Sequence, residues 1–468
     1  MNTRNFDLIV LGGGNAISTA IDCAAAGLSV ALVEKGPLGG TCPHRGCIPS
    51  KLLIGYADVA QHVREAKRFG FETTLRLPDP DAILRDTFDF TAKYDGILQN
   101  ALPPNLALYR GHAVFAGDRL LEVNGERLRG ERLVLATGSR PKRPTGFDEL
   151  PYWTSDDFFR QRKLPRSITI VGGGYIACEI GHFLNGIGVD TRLIARGADL
   201  LEREDSEIRT IFQRVFAERV PVHFHSEITS ARHDGTEFHL RITQADGSTT
   251  ERTSEALLFC IGRVPNTNQI QIENSGLTPN AHGFVEVDDA LRTGVPGVYA
   301  MGDVAGRFMF THAANFESEW LAQQFIEDRT DAIDYGPMPH AVFSSPEVAG
   351  VGPTEDELKQ EGVDYVVATN AYLNTSKGRA VKEENGLCKI LVARDGTILG
   401  CHIVGYQASV LLHEVIPVMR WHNHISAVAD LIHIHPSLSE VVRGAARKAA
   451  ALLKKDQPVA RPVRARAA

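Results

Sequence analysis

The chain has 468 residues, of which 43% are hydrophobic and 23% charged, and its net charge is −7. This length suffices for about three domains, and the mild negative charge excludes a chain-wide attraction to nucleic acid or to an anionic membrane. Because no apolar run reaches the ~18 residues that cross a bilayer, no membrane contact is expected.

The first predicted elements form a nucleotide-binding motif. Residues 6–11 are a short apolar strand, followed by a Gly-rich turn, an Ala-rich helix and a second strand that ends at Glu34. In this βαβ opening Gly12 allows the tight turn, and Gly14 lets the backbone approach a pyrophosphate at the helix N-terminus. Glu34 is placed to accept hydrogen bonds from a ribose.

Two cysteines, Cys42 and Cys47, follow this motif. The N-terminal residues lack the order of a signal peptide, so we expect a cytoplasmic protein, in which a cysteine pair is more often catalytic than structural. The pair is interpreted as a redox-active disulfide that receives electrons from a flavin. The alternatives are two ordinary buried thiols and half of a metal site.

The two cysteines are predicted to lie just before a helix at 49–60. The N-terminus of that helix and the cations His44, Arg45 and Lys51 would lower the pKa of a nearby thiol. Lys51 could also reach a flavin ring and stabilise the negative charge that arrives with hydride.

A second Gly-rich turn follows another apolar strand, at 167–171. Gly172, Gly174 and Ile176 fall in the turn and at the start of the next helix, and the following strand ends at Arg196. No acid stands there for a ribose 2′-hydroxyl, and an arginine favours the 2′-phosphate of NADPH. A solvated surface arginine is the alternative.

The intervening and C-terminal segments complete the predicted architecture. Helices are expected within 56–100, short strands within 107–136 around an Asn-Gly turn, and an α+β module from about residue 336. Its predicted strands and helices are 387–392, 398–404, 408–421 and a helix from 438 onward. The first domain is expected to resume near Asn266 and to end at 295–306, where Asp303 would bond the linking chain of its cofactor.

Near the C-terminus, His435 and Glu440 are spaced as a base held by an acid. Such a pair can protonate a leaving thiolate and stabilise an attacking one. His433 and His435 offer no third metal ligand, so no metal site is expected. Because His435 is far in sequence from the cysteines, the fold or a second subunit has to bring them together.

Five motifs in one order resemble the class I pyridine nucleotide–disulfide oxidoreductases, a family of flavoprotein disulfide reductases that includes dihydrolipoamide dehydrogenase, glutathione reductase and mycothione reductase. The resemblance covers nearly the whole chain. The motifs are GGTCPHRGCIPSK (39–51), LATGSRP (135–141), FCIGRVPN (259–266), AMGDVAG (300–306) and HPSLSE (435–440).

The resemblance implies roles for the reactive side chains. Cys42 would attack the substrate, and Cys47 would face the flavin in a charge-transfer contact. Lys51 and Glu179 would pair beside the flavin, and Tyr175 would gate the nicotinamide pocket. The family works as a homodimer in which His435 and Glu440 complete the partner's active site.

The resemblance also implies the cofactors and where they bind. FAD and NADPH, with NADH as the alternative nicotinamide, would be held by residues of the two Gly-rich turns and of the segments that contact these cofactors in the family. These residues are Gly12, Gly14, Glu34, Thr41, Lys51, Ala113, Thr137, Gly138, Asp303 and His312 for FAD, and Gly172, Gly174, Ile176, Arg196, Gly262 and Arg263 for the nicotinamide.

The expected fold is α/β, with two Rossmann-like dinucleotide-binding domains and a C-terminal α+β dimerisation domain. The boundaries are 1–150 and 266–335 for the FAD domain, 151–265 for the NAD(P) domain, 336–455 for the dimerisation domain and 456–468 for a basic, disordered tail.

The expected activity is NADPH-dependent reduction of a small disulfide or, in reverse, oxidation of a dithiol. Pro43, His44 and Arg45 replace the usual residues between the cysteines, and Glu202 stands where a second phosphate-binding arginine is expected. The alternatives are an NAD-linked dihydrolipoamide dehydrogenase and a non-catalytic flavoprotein subunit.

Overall fold

The computed structural model describes residues 2–77 and 79–455, so the predicted tail at 456–468 lies outside the described residues. Two compact units are present. The first consists of residues up to 198 together with 220–335, and the second of residues 199–219 together with those from 336 onward. In this part of the chain every helix is too short or too polar to cross a bilayer.

The strands are β1 (Thr3–Leu11), β2 (Val30–Glu34), β3 (Leu106–Arg110), β4 (Ala113–Gly117), β5 (Leu120–Val123), β6 (Glu126–Leu135), β7 (Ser139–Pro141), β8 (Trp153–Thr154), β9 (Ser167–Val171), β10 (Asp190–Ile194), β11 (Val222–His223), β12 (Ser226–His233), β13 (Phe238–Gln244), β14 (Thr249–Ser254), β15 (Ala256–Phe259), β16 (Arg263–Pro265), β17 (Val298–Ala300), β18 (Pro339–Val342), β19 (Val348–Val351), β20 (Tyr365–Ala371), β21 (Leu387–Ala393) and β22 (Ile398–Val404).

The α-helices are α1 (Ile17–Ala25), α2 (Thr41–Arg45), α3 (Cys47–Glu65), α4 (Pro80–Thr91), α5 (Tyr94–Asn100), α6 (Ser155–Phe158), α7 (Tyr175–Gly186), α8 (Ser206–Ala217), α9 (Thr311–Glu327), α10 (Glu355–Glu361), α11 (Ser376–Ala380), α12 (Ala408–Leu411), α13 (Ile416–Trp421), α14 (Ser426–Ala429) and α15 (Ser439–Lys455). Short 3₁₀ helices are Ala66–Phe69, Thr267–Gln269, Ile272–Ser275, Gly302–Val304, Tyr372–Asn374 and Leu412–Glu414.

The first unit is built on two sheets whose central strands are parallel. In one, β1 lies between β2 and β6, β3 extends the β2 side, and β17 pairs in parallel with β6. In the other, β9 lies between β10 and β15. Helices α1 and α7 directly follow β1 and β9, so both predicted βαβ openings are present. The carboxyl ends of these parallel strands, called the carboxyl edge of each sheet below, are where α/β proteins bind nucleotides.

One side of the first sheet continues beyond β6 as antiparallel strands, β5 and then β4 at the edge. Strands β5 and β6 are antiparallel and joined by Asn124 and Gly125, whose φ angles are 52° and 79°. Positive φ at both positions is typical of the tight hairpin turn that Asn-Gly favours. The predicted short strands and their turn are confirmed.

The second unit is an α+β module, as predicted. Its antiparallel sheet has the order β18-β19-β22-β21-β20, and α15 packs on β20 and β21. Helix α8 also belongs to this unit. The buried Lys389 on β21 binds Asp205 at the start of α8 at 2.9 Å and Glu355 on α10 at 2.6 Å.

Two predicted helix boundaries were wrong. The helix expected at 49–60 begins at Cys47, and residues 41–45 form a separate short helix, so the cysteines lie within helices rather than before one. The single helix expected at 408–421 is interrupted after Glu414, because Pro417 near the start of α13 has no N–H to continue the hydrogen-bond ladder.

Candidate active site

Two cysteine side chains meet at the break between α2 and α3. Cys42 is the second residue of α2, Cys47 is the first of α3, and Gly46 alone separates the two helices. Both are free thiols, and their sulfur atoms are hydrogen-bonded to each other. Cys47 Sγ also lies 3.1 Å from Thr311 Oγ1. Since the sulfurs already touch, a small movement suffices to join them in a disulfide.

The surroundings of the pair place negative charge on Cys47. The hydrogen bond from Cys42, together with the Thr311 hydroxyl and the Lys51 ammonium, lowers the pKa of the Cys47 thiol to about 6, although burial opposes this. The hydrogen bond to Cys47 and burial raise the pKa of the Cys42 thiol. The start of α3 adds the partial positive charge of a helix N-terminus. At neutral pH Cys47 is therefore the thiolate and Cys42 its hydrogen-bond donor.

Lys51 is held one turn beyond Cys47 on α3. Its Nζ lies 2.9 and 2.8 Å from the two carboxylate oxygens of Glu179, which is buried on α7. Residues four apart on a helix share a face, so this ion pair fixes the cation beside the thiolate. The structure brings together Cys42, Cys47, Lys51 and Glu179 as predicted.

Side chains of the segment between the two cysteines contact other parts of the first unit. Pro43 is buried, His44 Nε2–H donates to the Leu38 carbonyl at 2.8 Å, and Arg45 Nε lies 3.1 Å from Asp156 Oδ2. Within the unusual Pro-His-Arg sequence, His44 and Arg45 therefore bind the segment between the cysteines to two separate parts of the first unit, at Leu38 and at Asp156.

The carboxyl edge of the first sheet has the features that FAD requires. A side chain at Gly12 (φ 115°) would overlap the Ala136 carbonyl oxygen, and Gly14 faces the backbone of Gly40. Thr137 Oγ1 is buried and has no hydrogen-bond partner in the described part of the chain. Closely spaced glycines beside an unsatisfied buried hydroxyl fit a phosphate-bearing ligand that approaches the backbone.

Acidic side chains lie at the same edge. Glu34, the last residue of β2, accepts hydrogen bonds from the N–H groups of Gly13 and Gly36, both at 2.6 Å. Asp303, after β17, accepts one from Ser139 Oγ at 2.5 Å. The remaining predicted residues lie in the first unit as follows: Thr41 starts α2, Ala113 starts β4 and is buried, Gly138 precedes β7, and His312 on α9 stacks on Phe310 with ring centroids 5.1 Å apart.

The second Gly-rich turn is open where a ligand would lie. A side chain at Gly172 would overlap the Cys260 carbonyl oxygen, whereas Gly174, at the N-terminus of α7, faces open space. Tyr175 and Ile176 are the first two residues of α7. Arg196 is exposed just beyond β10. The N–H groups at this helix N-terminus and an exposed guanidinium together suit a phosphorylated nucleotide.

Gly262 and Arg263 differ in their surroundings. Gly262 has φ 105° and faces open space. The Arg263 side chain is turned instead toward the LATGSRP motif at 135–141. Its Nε lies 2.7 Å from Ser139 Oγ, and its Nη2 lies 2.8 Å from the Ser139 carbonyl. Since Ser139 also binds Asp303, Arg263 supports the FAD side of the unit in this structure.

His435 and Glu440 form the predicted pair in the second unit. His435 Nδ1 lies 2.9 and 3.1 Å from the carboxylate oxygens of Glu440. This contact lowers the pKa of Glu440. The carboxylate accepts the Nδ1–H, which leaves Nε2 as the basic nitrogen, and the His435 side chain is 68% exposed. The cysteines belong to the first unit and this pair to the second.

Thr311 and Asp156 were missed by the sequence analysis. Thr311 begins α9 shortly after the AMGDVAG motif, and that position is the one sequence signal that could have indicated it. Asp156 has no motif around it and is identified by its contacts with Arg45 at 3.1 Å and with Arg263 at 4.0 Å.

Comparisons with known proteins agree with this geometry. The model of the family described as pyridine nucleotide-disulphide oxidoreductase matches residues 6–318, and the model of the corresponding dimerisation domain matches 338–446. The mycothione reductase of Mycobacterium tuberculosis is 33% identical, with 95% of this chain and 99% of that protein covered. The dihydrolipoyl dehydrogenase of Halobacterium salinarum is 34% identical, with 95% and 96% covered.

A solved structure shares the fold. The Cu(II) complex of the HOCl-induced flavoprotein disulfide reductase RclA from Escherichia coli superposes with a TM-score of 0.85 at 24% identity, covering 96% of this chain and 100% of that one.

Proposed function

Because the chain belongs to the pyridine nucleotide–disulfide oxidoreductases, an FAD-dependent family, we propose that it uses NADPH to reduce a low-molecular-weight disulfide. The observation that carries the proposal is the hydrogen-bonded Cys42–Cys47 pair, with the pKa of Cys47 lowered by Cys42, Thr311 and Lys51. A structural cysteine pair has no need of a stabilised thiolate.

FAD would be held at the carboxyl edge of the first sheet by Gly12, Gly14, Glu34, Thr137 and Asp303. The chemistry that FAD would supply there is the transfer of two electrons from the hydride of the nicotinamide to the disulfide. Lys51 carries positive charge beside that site and keeps Cys47 ionised once the disulfide is open.

Disulfide exchange is the part of the cycle performed by protein side chains. A histidine takes the proton of Cys42, and the resulting thiolate attacks one sulfur of the substrate disulfide. A mixed disulfide forms, and the first thiol leaves with the proton that the histidine returns to it. Cys47 then attacks Cys42, the second thiol leaves, and the Cys42–Cys47 disulfide is restored. Two electrons and two protons are consumed for each substrate disulfide.

We assign the proton transfer to His435, with Glu440 holding its Nδ1. The dimerisation-domain match supports a homodimer, in which His435 of the partner subunit would complete each active site. The corresponding domains are 1–150 with 266–335 for FAD, 151–265 for the nicotinamide and 336–455 for dimerisation. A cytoplasmic location suits a cycle that needs reduced thiols.

NADPH rather than NADH is proposed because of Arg196. Arg196→Ala is expected to raise the KM for NADPH about tenfold and to leave the KM for NADH unchanged, since a charged hydrogen bond to the 2′-phosphate is lost. Steady-state kinetics with both nicotinamides measures this. Arg232→Ala, at another exposed arginine of the same unit, is the control, and equal effects on the two nicotinamides would refute the assignment.

The second candidate is an NAD-linked dihydrolipoamide dehydrogenase. It is favoured by the Halobacterium salinarum relative and by Glu202 at the position of a second phosphate-binding arginine. The first candidate oxidises NADPH and reduces a disulfide, whereas the second reduces NAD and oxidises a dithiol. Assays in both directions on the same purified enzyme therefore distinguish them.

The deciding experiment is a panel of disulfides assayed with each nicotinamide. NADPH oxidation with mycothione or another small thiol disulfide supports the proposal, whereas fast NAD reduction with dihydrolipoamide supports the alternative. No turnover with any of them, despite bound FAD, would contradict both and leave a non-catalytic flavoprotein.

A further inference from the structure

Helix α7 buries two ionisable side chains on one face. Glu179 is 8% exposed and His182 fully buried, and they lie three residues apart, which places them on neighbouring turns. The other buried residues of α7 are apolar or small. Glu179 binds Lys51, and His182 Nε2 lies 2.9 Å from Asp58 Oδ1. Both partners belong to α3, the helix that begins at Cys47.

The two pairs join α3 to α7 at two different points along the helices. Lys51 and Asp58 are seven residues, or about 10 Å, apart along α3. Beside the second pair, Ala57 meets Gly186, one turn beyond His182, so closely that a Cβ at Gly186 would lie 2.6 Å from the Ala57 Cβ. Small residues let the two helix backbones approach closely. A contact between small apolar residues does not by itself fix the translation or rotation of one helix relative to the other.

We propose that Asp58 and His182 are positioning residues that fix the register of α3 on α7 and thereby hold Lys51 and Cys47 in their reactive arrangement. This inference depends on the assignment of Cys47 as the flavin-facing thiol. Neither residue touches the cysteines, so both act through the helix that connects them.

The hydrogen-bonded pairs can fix the register of α3 because, unlike apolar packing, they depend on direction as well as on distance. The ion pair at Lys51 holds α3 to α7 at one point, and Cys47 lies four residues, about 6 Å, beyond it. The bond between Asp58 and His182 holds the same two helices at a second point and so restricts rotation of α3 about the first. Because the hydrogen bonds to Cys47 Sγ depend steeply on distance, small rotations of α3 change how well the thiolate is stabilised.

The test uses Asp58→Asn in the reduced holoenzyme, since Asp58 is about half exposed and its loss spares the core. We expect the pH midpoint of the long-wavelength flavin–thiolate absorbance to rise by about one pH unit and kcat to fall about tenfold, with an unchanged KM for the disulfide. Asp58→Glu should restore both values. Glu65→Gln, at an acid near the end of the same helix, is the matched control.

A second variant separates positioning from folding. His182→Ala should change the midpoint in the same direction. Combining it with Asp58→Asn should add little, because both act on the same contact, one by removing the charge of the acceptor and the other by removing the imidazole. The inference is overturned if Asp58→Asn behaves like Glu65→Gln, whether or not His182→Ala changes the midpoint. If Cys47 were not the flavin-facing thiol, Cys47→Ser would keep the absorbance, which is a separate failure.

Discussion

Cys47→Ser is expected to lower turnover with any disulfide by roughly 10⁴-fold or more, because one half of the dithiol is removed. It should also abolish the long-wavelength absorbance of the reduced enzyme. In the unmodified enzyme that absorbance should persist from alkaline pH down to about 6, the value to which the pKa of Cys47 is lowered, and disappear below it as the thiolate takes up a proton. Steady-state assays and a pH titration of the spectrum measure both effects.

Cys42→Ser is the matched variant. It should lose disulfide turnover to the same extent but keep the absorbance, since Cys47 remains and a serine hydroxyl can still donate a hydrogen bond to it. If Cys42→Ser lost the absorbance and Cys47→Ser kept it, the roles of the two cysteines would be the reverse of those assigned.

His435→Ala is expected to lower kcat for disulfide reduction by about 10²–10⁴-fold, the usual contribution of a general acid–base. Reduction of the enzyme by the nicotinamide should be nearly unchanged, because His435 is assigned to the exchange with substrate. Rapid mixing separates the two half-reactions. Glu440→Gln should cause a smaller loss, as the histidine remains but its orientation by the carboxylate is weakened.

His413→Gln is the control for that prediction. His413 is exposed in the same unit and bonds only a backbone carbonyl, that of Ser409, among the contacts of the described residues. A His435→Ala enzyme that kept full turnover, or that lost the nicotinamide step equally, would remove His435 from the proton transfer.

Much of the fold could be predicted because local sequence determines it. The Gly-rich turns are recognisable since Gly12 and Gly172 stand where any side chain would overlap a carbonyl oxygen. The family resemblance drawn from five motifs is confirmed by the matching family models. The His435–Glu440 pair was also predictable, because its partners are close in sequence.

Contacts between distant segments could not be derived in this way. Thr311 reaches Cys47 across 264 positions, and Asp58 meets His182 across 124, and no periodicity encodes such distances. The start of α3 was misplaced because the helix begins at Cys47 itself, directly after Gly46, without a side-chain cap to mark it.

The central claim is that electrons from the nicotinamide reach the Cys42–Cys47 pair. The most direct measurement adds one equivalent of NADPH to the oxidised, FAD-loaded enzyme without oxygen, alkylates the free thiols and maps them by mass spectrometry. The account predicts that Cys42 and Cys47 become newly alkylated and that a disulfide substrate reverses this. Consumption of NADPH with no new label at either cysteine would contradict it.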